Sequence, residues 1–301
     1  MAKKFKCNVC DMTFEAETMP EKCPICGAPA SEIKEVKVKT GLNTNSNAYT
    51  IVYAAVMVII VAFLLAFVSS ALKPTQDANV ENDTKGQILT AMGFSKESVD
   101  VKAEFDKVQD FVLDESQAVM TPYEGKFEST YGTAIKEGRL HVFVGKNKDG
   151  EEVYVLPVVG RGLWGGLWGY IALSFDSNVP TVKGAYFYHE SETAGLGARI
   201  GDRDFQEQFI GKPIYDENDP SHEISLTVVK KGAASKTTEV DGVTGATLTS
   251  VGVGSMVNEG LKIYKNFILS KTPALLDNMA VEADSSAAAV SGEEGENTSN
   301  N

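Results

Sequence analysis

The sequence predicts an α+β protein, in which a small cysteine-bearing module and a transmembrane helix precede a domain built on an antiparallel sheet. Three observations indicate this architecture. After residue 73, strand-like and helix-like segments do not alternate regularly, as they would in a doubly wound fold. Residues 48–72 contain no Asp, Glu, Lys or Arg. All the cysteines of the chain precede that apolar run.

Length and charge limit the possible functions. A chain of 301 residues is expected to hold one or two folded units. The formal net charge of −13 excludes a nucleic-acid-binding protein, because such a protein needs a basic face.

The composition divides the chain into five predicted regions. The last of them is acidic, rich in small residues and free of aromatic residues, and we expect it to be disordered. The regions are a metal-binding module (1–36), a polar linker (37–47), a transmembrane helix (48–72), an extracytoplasmic domain (73–272) and an acidic tail (273–301).

The apolar run is long enough to cross a membrane. At about 1.5 Å per residue it exceeds the roughly 30 Å hydrocarbon core of a bilayer. A buried helix of a soluble protein would normally interrupt such a run with a polar face. A signal peptide would begin at the N-terminus and have a shorter apolar centre. We therefore expect a single span embedded in membrane lipid.

Flanking charges predict the orientation of the span. Lys34, Lys37 and Lys39 precede it closely, whereas Lys73 alone follows closely and acidic residues lie beyond. Basic residues stay on the cytoplasmic side, which predicts a cytoplasmic N-terminus and an extracytoplasmic C-terminal domain at the inner membrane. The cysteines agree with this orientation. All four precede the span and would lie in the reducing cytoplasm, whereas the exported part has no cysteine and therefore no disulfide.

The periodicity of the exported part predicts its elements. A helix begins near residue 76 with Ile88, Leu89 and Met92 on one face, and Gly93 stops it. A hairpin with an Asp-Gly turn signal joins two β-rich runs over residues 139–159. Further predicted elements are strands at 169–176, 181–190 and 222–230, a short helix at 203–211 and a closing helix at 250–269.

The cysteines form a metal-ligand pattern of Cys-x2-Cys, twelve residues, then Cys-x2-Cys. Two such turns bring four thiolates into a tetrahedral cage for zinc or iron. A module of about three dozen residues has little core of its own and needs a metal to fold. The predicted ligands are Cys7, Cys10, Cys23 and Cys26.

Residues 5–36 contain FKCNVC and MPEKCPICGAPASEIKEV, and they resemble the rubredoxin-like domain found at the end of rubrerythrins. The resemblance implies one iron that moves one electron at a time. Three positions depart from the family pattern: Asp11 replaces the usual Gly, Met12 an aromatic residue and Ile33 a late Phe. A structural zinc ribbon therefore stays open as the alternative.

The segment DGVTGATLTS is a glycine-containing loop at the entry to the closing helix. Helix N-termini offer free N–H donors and the positive end of a dipole, which suit a phosphate group. The alternative is ordinary capping, with Thr249 or Ser250 as the N-cap.

This segment resembles the flavinylation motif Asp-x-x-(Ser/Thr)-Gly-Ala-Thr in the C subunits of Na⁺-translocating NADH:quinone oxidoreductases. The matching residues are Asp241, Thr244, Gly245, Ala246 and Thr247. In that family a flavin transferase joins FMN to the last threonine as a phosphoester. The resemblance thus implies covalent FMN on Thr247.

Two other segments resemble the same family. GRGLWGGLWGYIAL is similar to its Gly-Leu-Trp stretch, which implies that Trp164 lies beside the flavin. HESETAGLGARI is similar to its Glu-Thr-Pro-Gly-Leu-Gly motif, with Ala194 in place of Pro. The residues that carry this second match are Glu192, Thr193, Gly195, Leu196 and Gly197.

The resemblance implies a one-electron relay in a membrane complex that oxidises NADH, reduces quinone and exports Na⁺. Other subunits of that complex would supply nicotinamide binding and ion transport, and the chain itself would hold no catalytic residue. Two alternatives stay open. One is the G subunit of an Rnf-type ferredoxin:NAD oxidoreductase, and the other is a non-redox membrane anchor with a zinc ribbon.

Overall fold

The computed structural model of the chain describes residues 3–36, 44, 46–219 and 221–272. The predicted acidic tail and most of the predicted 37–47 linker lie outside the described residues. The chain divides into two compact units, Met1–Lys73 and Pro74–Asn301.

The N-terminal module is a small antiparallel sheet around the cysteines. Its strands, in the order β2-β1-β3, are β1 (Lys3–Cys7), β2 (Thr13–Ala16) and β3 (Ile33–Glu35). Phe5 stacks on Phe14 with ring centroids 6.1 Å apart, and Ile33 is buried beside two of the cysteines. This core is small, because Met12 points outward and is 51% exposed.

Helix α1 (Asn47–Ala91) contains the apolar run. Within the described residues it is the one helix long and apolar enough to cross a membrane, and no residue of its most apolar stretch is buried. A core helix of a soluble protein would bury that stretch. The end of α1 is different, because Ile88 and Leu89 are buried. The helix stops before Gly93, whose φ of 89° requires the left-handed region that glycine adopts readily.

The remaining elements complete an α+β domain. They are α2 (Val101–Phe105), β4 (Gln109–Leu113), β5 (Met120–Pro122), α3 (Tyr131–Lys136), β6 (His141–Lys146), β7 (Glu152–Arg161), β8 (Gly166–Ser174), β9 (Thr181–His189), α4 (Arg203–Gln206), β10 (Thr227–Val229), β11 (Glu239–Asp241), α5 (Thr247–Ile263) and α6 (Lys265–Lys271).

The main sheet has the order β5-β4-β6-β7-β8-β9, and its pairings are antiparallel. The long β7–β8 hairpin forms its centre. Because side chains alternate along a strand, the sheet has two apolar faces. The end of α1 covers one face, where Phe143 and Tyr170 are buried. Helix α5 covers the other, where Leu156 and Ile171 are buried.

Helix α5 lies very close to the sheet and to the turn of the β7–β8 hairpin. A Cβ on Gly260 would come within 2.6 Å of Val158, and one on Gly252 within 2.6 Å of the Arg161 carbonyl oxygen. These contacts leave no room for a side chain, so the glycines set the distance between helix and sheet. The N-terminus of α5 is thereby held next to the hairpin turn.

Most of the predicted elements are confirmed. The 139–159 hairpin, the strands near 169–176 and 181–190, and the short helix near 203–211 are present. Three differ in extent. The helix predicted from about residue 76 is not separate from the predicted span, because both belong to the continuous helix α1. The strand predicted at 222–230 is reduced to β10, which pairs in parallel with β11. The closing helix begins three residues earlier than predicted and is interrupted at Tyr264, between α5 and α6.

Candidate flavin site and metal centre

The turn of the β7–β8 hairpin exposes a tryptophan. Gly162 N–H donates to the Gly165 carbonyl oxygen at 2.9 Å, which closes the turn. Trp164 lies at its tip and is 66% exposed, although large aromatic side chains are normally mostly buried. Trp168, further along β8, is half-buried and donates its indole N–H to Gln87 at 3.3 Å. Trp164 is therefore the tryptophan available to a ligand.

A buried carboxylate joins the hairpin turn to α5. Glu192, only 7% exposed, accepts a hydrogen bond from Trp164 N–H at 2.9 Å through Oε1. Its Oε2 accepts from the Thr249 hydroxyl at 2.6 Å. The Glu192 N–H in turn donates to His189 Nδ1 at 3.2 Å. The loop after β9, the hairpin turn and the first turn of α5 are thus connected through one side chain.

The environment of Glu192 keeps its carboxylate charged. Burial opposes ionisation, but the Thr249 hydroxyl and the N–H groups of Trp164 and Gly165 donate hydrogen bonds to it. Their combined effect holds the pKa of Glu192 below its usual value. An ionised carboxylate accepts such bonds more strongly than a neutral one, which tightens the junction.

Two glycines make room for this carboxylate. A Cβ on Gly162 would lie 2.4 Å from Glu192 Oε1. One on Gly197 would lie 2.6 Å from both Glu192 Oε2 and the Thr249 hydroxyl oxygen. Gly195 is different, because its φ of 76° requires the left-handed region while the space around it is open. Gly197 therefore serves packing and Gly195 serves the turn.

Thr247 is the first residue of α5 and is exposed. The N-cap is Ala246, so capping by Thr249 or Ser250, the alternative from the sequence, is wrong. Both side chains are buried and used elsewhere. Thr249 bonds Glu192, and the Ser250 hydroxyl accepts from Val243 N–H at 2.9 Å. Thr247 therefore has the accessible hydroxyl in this first turn.

Asp241 holds a neighbouring turn together. Its Oδ1 accepts from the N–H groups of Gly232, Ala233 and Ala234 at 2.8, 3.2 and 3.1 Å. The Ala234 bond, the other two N–H groups and nearby Lys231 outweigh a partial desolvation and keep the pKa of Asp241 below its usual value. Three backbone donors thus converge on one oxygen of this carboxylate, so Asp241 acts as a brace for this loop.

The brace places two lysines near Thr247. A depression of about 220 Å³ is bordered by residues 229–231 on one side and by the loop and first turn of α5 on the other. Lys230, Lys231, Thr244 and Thr247 all line it. Gly245, with a φ of 79°, reverses the chain here, and a Cβ on it would be 3.0 Å from Leu196. The depression thus combines positive charge, a helix N-terminus and a free hydroxyl.

Several exposed apolar side chains lie on the segments that form this site. Such a group is unusual on a soluble surface and marks a site that something covers. A flavin fits this arrangement, because it has a flat apolar ring and an anionic phosphate. The members are Leu163, Trp164, Leu196, Leu248 and Val251.

The site therefore gathers most of the residues singled out in the sequence. The segments that carry Trp164, Glu192 and Leu196 come together at the start of α5, next to Gly245 and Thr247. The exposed Thr193 supports its own turn. Its carbonyl oxygen accepts from the Leu196 and Ala198 N–H groups, each at 3.1 Å. Sequence reasoning missed the Thr249–Glu192 bond, the exposed Leu248 and Val251, and the lysines beside Thr247. Glu192 lies within a recognised motif, but Thr249, Leu248, Val251 and the lysines do not.

The four cysteines form the second candidate site. Cys7 and Cys23 are buried, Cys10 is half-buried and Cys26 is exposed. Their sulfur atoms all lie within 4.8 Å of one another, and the Cys7–Cys26 and Cys10–Cys23 pairs are 3.7 and 3.9 Å apart. A tetrahedron with metal–sulfur bonds of about 2.3 Å has edges of about 3.8 Å. The residues present therefore fit a bound metal ion.

The turns around the cysteines have the required backbone. Asp11, in the place of the usual glycine, has a φ of 59°, and Gly27 has a φ of 76°. Asp tolerates this left-handed conformation better than most residues. Burial opposes ionisation of Cys23, but N–H groups of Cys26 and Ile25 lower its pKa to about 7. An Ala28 N–H lowers the pKa of Cys26, but the neighbouring thiols and burial outweigh it and raise this pKa, so Cys23 loses its proton more readily than Cys26.

Comparison with known protein families matches both sites. Residues 162–262 match the FMN-binding domain, and residues 5–34 match the rubredoxin-like domain of rubrerythrin. The first range contains the hairpin turn, Glu192 and the start of α5, and the second contains all four cysteines. The fold and its sites thus define a flavin-binding protein with a cysteine metal centre and one candidate membrane helix.

Relatives identify the family. The chain is 30% identical over 231 residues to the Na(+)-translocating NADH-quinone reductase C subunit of Haemophilus ducreyi, covering 70% of this chain and 88% of that protein. It is 42% identical over 113 residues to the C subunit of Vibrio vulnificus strain YJ016, covering 37% and 42%. The chain belongs to the family of Na⁺-translocating NADH-quinone reductase C subunits, whose members are part of an oxidoreductase complex.

Solved structures agree. The C subunit of the same reductase from Parabacteroides distasonis superimposes with a TM-score of 0.57 at 36% identity, covering 65% of this chain and 96% of that one. The Shewanella oneidensis NqrC superimposes with a TM-score of 0.53 at 22% identity, covering 64% and 98%, and supports the fold alone.

Proposed function

We propose that this chain carries FMN as a phosphoester on the Thr247 hydroxyl and relays single electrons within a Na⁺-translocating NADH:quinone reductase. The named relatives are subunits of that reductase, and an FMN-binding domain spans the site. The observation that carries the proposal is the exposed Thr247 at a helix N-terminus, which borders a depression that Lys230 and Lys231 also line. Bound FMN would supply the redox chemistry.

The protein would bind the two ends of the cofactor differently. The free N–H groups at the start of α5, with Lys230 and Lys231, would stabilise the phosphate. Trp164 and Leu196 would cover the apolar ring and exclude water from it. Glu192 would keep the hairpin turn against α5, so that these two contact surfaces stay in register.

The rest of the motif would shape the loop. Asp241 braces the lysine-bearing turn, while Gly245 and the small Ala246 let the chain turn directly into α5. Thr244 and Thr193 lie on exposed turns beside the site and would contact the cofactor. Backbone N–H groups engage Asp241 Oδ1 and hold the pKa of this carboxyl group below its usual value, so Asp241 is a weak base for activating Thr247. Attachment would therefore require a separate flavin transferase.

Intact-mass measurement tests the attachment. Protein from cells that coexpress a flavin transferase should gain the mass of one FMN less one water, and it should keep that mass after denaturation. Protein made without the transferase should show the unmodified mass. A flavin that binds but is lost on denaturation would contradict the phosphoester.

We also propose that the cysteine cage holds one iron. The match to a rubredoxin-like domain supports iron, and the 3.7 and 3.9 Å sulfur separations suit an iron–thiolate tetrahedron. Metal analysis of the aerobically purified full chain should give one iron per protein. One zinc instead would make the module a structural ribbon and remove it from any electron path.

The proposed topology follows from the flanking lysines. The N-terminus would lie in the cytoplasm and the flavin domain outside it. Residues 48–72 contain no Asp, Glu, Lys, Arg or His, so partner subunits would conduct Na⁺ and oxidise NADH. A cysteine introduced by Ser285→Cys should react with a membrane-impermeant maleimide added to intact spheroplasts. Labelling only after lysis would reverse the orientation.

A further inference from the structure

A histidine lies where β9 leads into the loop that carries Glu192. His189 is the last residue of β9 and pairs with Leu167 of β8. Its ring is nearly parallel to the ring of Tyr188, with centroids 5.3 Å apart and an interplanar angle of 7°. The strand pairing and this ring contact fix the position of the imidazole. One of its nitrogens thereby faces the loop that follows.

The hydrogen bond from this loop selects one form of the imidazole. His189 Nδ1 accepts from the Glu192 N–H at 3.2 Å. A backbone N–H can only donate, so Nδ1 must offer a lone pair and the proton of the neutral ring must be on Nε2. A protonated imidazole carries an N–H at both positions and accepts no hydrogen bond. The bond to Glu192 therefore exists only while His189 is neutral.

Glu192 is thus held at its backbone as well as at its side chain. The backbone N–H is bonded to His189, three positions earlier, while the carboxylate accepts from the Trp164 N–H and the Thr249 hydroxyl. The carboxylate has little space in which to move, because a Cβ on Gly162 would lie 2.4 Å from it. A second N–H directed at the Glu192 N–H would push the two donors apart. A proton on His189 therefore displaces the backbone from which the carboxylate extends.

Histidine is the side chain whose charge ordinarily changes between pH 5 and 8. Burial opposes ionisation of Glu192, but its hydrogen bonds and its interaction with His189 keep the Glu192 pKa below the usual value, so this carboxylate stays charged in that range. The Glu190 carboxylate accepts from the Gly166 N–H, and tyrosine side chains such as Tyr188 are uncharged in this range. Charged residues on the turn and short helix that pack against β9 form ion pairs with one another, namely Arg199 with Asp202 and Asp204, and Arg203 with Glu207. His189 is therefore the group of this junction that gains a proton between pH 8 and 5.

We propose that His189 is a positioning residue for the flavin site. In its neutral form it holds the Glu192 loop in place, and a proton taken up from solvent at Nδ1 releases that loop. Release of the loop loosens the hydrogen bonds by which Glu192 joins the hairpin turn to α5. The role toward flavin rests on the function proposed above, whereas the coupling between His189 and the junction can be measured without flavin.

Selective labelling tests the coupling in the full chain without flavin. The chain contains only Trp164 and Trp168, so labelling with nitrogen-15 tryptophan gives two backbone amide signals. As the pH falls from 8 to 5, the Trp164 amide proton should move upfield in a single step, because its hydrogen bond to Glu192 weakens. The Trp168 amide, within β8, should not move. A Trp164 signal that stays in place over this range would overturn the proposal.

Two substitutions of His189 separate the acceptor from the proton. In His189→Asn, the side-chain oxygen can accept from the Glu192 N–H but gains no proton, so the Trp164 signal should stay at its high-pH position. In His189→Phe, the ring is kept without an acceptor, so the signal should stay near its low-pH position. Protection of the Glu192 N–H from hydrogen exchange at pH 8 should be about 5-fold lower in His189→Phe than in the wild type, the loss of one ordinary hydrogen bond.

His222→Asn is the matched control, because His222 lies on a different loop and contacts Tyr215 edge-on. The step in the Trp164 signal should persist in this variant. A step that persists in His189→Asn, or one that disappears in His222→Asn, would show that another group is responsible and would overturn the proposal.

The flavin-loaded chain tests the role toward the cofactor. Loosening of the hairpin turn should carry Trp164 away from the flavin ring that it would quench, so flavin fluorescence should rise as the pH falls from 8 to 5. It should stay constant in His189→Asn, and an equal rise in both chains would contradict the positioning role. A chain whose Trp164 amide shows the step but which gains no covalent flavin would support the coupling and refute the function proposed above.

Discussion

The metal module and the flavin site bring their functional groups together in different ways. All four thiols of the module lie within the segment from Cys7 to Cys26, and two short turns set their positions. The flavin site combines three segments that are distant in sequence, namely the hairpin turn at Trp164, the loop at Glu192 and the start of α5 at Thr247.

This difference determines how each site should respond to change. In the module, loss of one ligand removes part of the only structure that holds the small core together. In the flavin domain, a large two-sided core supports the sheet and α5 regardless of the cofactor. We therefore expect loss of one metal ligand to unfold the whole module. A substitution at the flavin site should reduce flavin attachment and stability only in part, while the domain stays folded.

The largest effect is expected for Cys7→Ser. Cys7 is fully buried in the small core, so its loss should abolish stoichiometric metal binding and unfold the module. Metal content and protease resistance of residues 1–36 measure this result. The flavin domain has its own core, so flavin attachment should continue; a simultaneous loss of both would show that the two sites depend on each other.

The next effect concerns the junction at Glu192. Glu192→Ala leaves the Thr249 hydroxyl and the Trp164 N–H without their acceptor, which should lower the free energy of unfolding by about 1–3 kcal/mol. The midpoint temperature of thermal unfolding of the flavin domain and the yield of covalently bound flavin should both fall. Glu190→Ala is the matched control, because Glu190 is exposed and its carboxylate accepts a single hydrogen bond among the described residues, from the Gly166 N–H at 3.2 Å. Similar losses in both variants would contradict the role of the junction.

Substitutions at two glycines of one loop distinguish the effect of close packing from the effect of turn geometry. Gly197→Ala places a Cβ between Glu192 and Thr249, so it should separate them and reduce flavin yield nearly as much as Glu192→Ala. Gly195→Ala has open space and only strains a left-handed residue, at a cost of about 1 kcal/mol. Flavin yield and thermal stability of the two variants should differ in that order, and the reverse order would refute the packing role of Gly197.

The smallest effect is a pH dependence at Asp241. Its pKa is lower in the folded chain than the unfolded value of about 3.9. The stabilisation it contributes is therefore complete above that pH and is lost as the pH falls through the lowered pKa. Hydrogen-exchange protection of residues 232–234 should decrease over this acidic range. In Asp241→Asn, protection should already be reduced at pH 7 and vary little with pH; wild-type-like protection would contradict the brace.

Local patterns explain why much of the fold could be predicted. Some structures are determined by residues that are neighbours in sequence, and these can be predicted. Examples are the span at charge-free residues 48–72, the strands β6 to β9 with their alternating side chains, and the end of α1 at a glycine. Short β4 and β5 were missed, as were β11 and its parallel pairing with β10. The first two adopt strands because β4 pairs with β6 and β5 with β4, and the β10–β11 pair packs against α5. Three to five residues carry too little periodicity to show such pairings in the sequence.

The same distinction between local sequence and tertiary packing explains which parts of the two sites could be predicted. The spacing of the cysteines alone predicts a cage, and the structure brings the four sulfurs together. By contrast, the sequence leaves Thr249 or Ser250 open as the capping residue. It does not show the bond from Thr249 to Glu192, which lies 57 positions away and is brought close only by tertiary packing. The lysines beside Thr247 were missed for the same reason, since a parallel strand pair carries them to the loop.

The central claim is that Thr247, and no other threonine of this segment, receives the flavin. Thr247 is exposed, whereas Thr249 is 1% exposed and bonded to Glu192. The most direct measurement is in-gel flavin fluorescence of denatured protein coexpressed with a flavin transferase, for wild type, Thr247→Ala and Thr249→Ala. We expect a dark band for Thr247→Ala and a weakened but visible band for Thr249→Ala. A fluorescent Thr247→Ala band beside a dark Thr249→Ala band would contradict the claim.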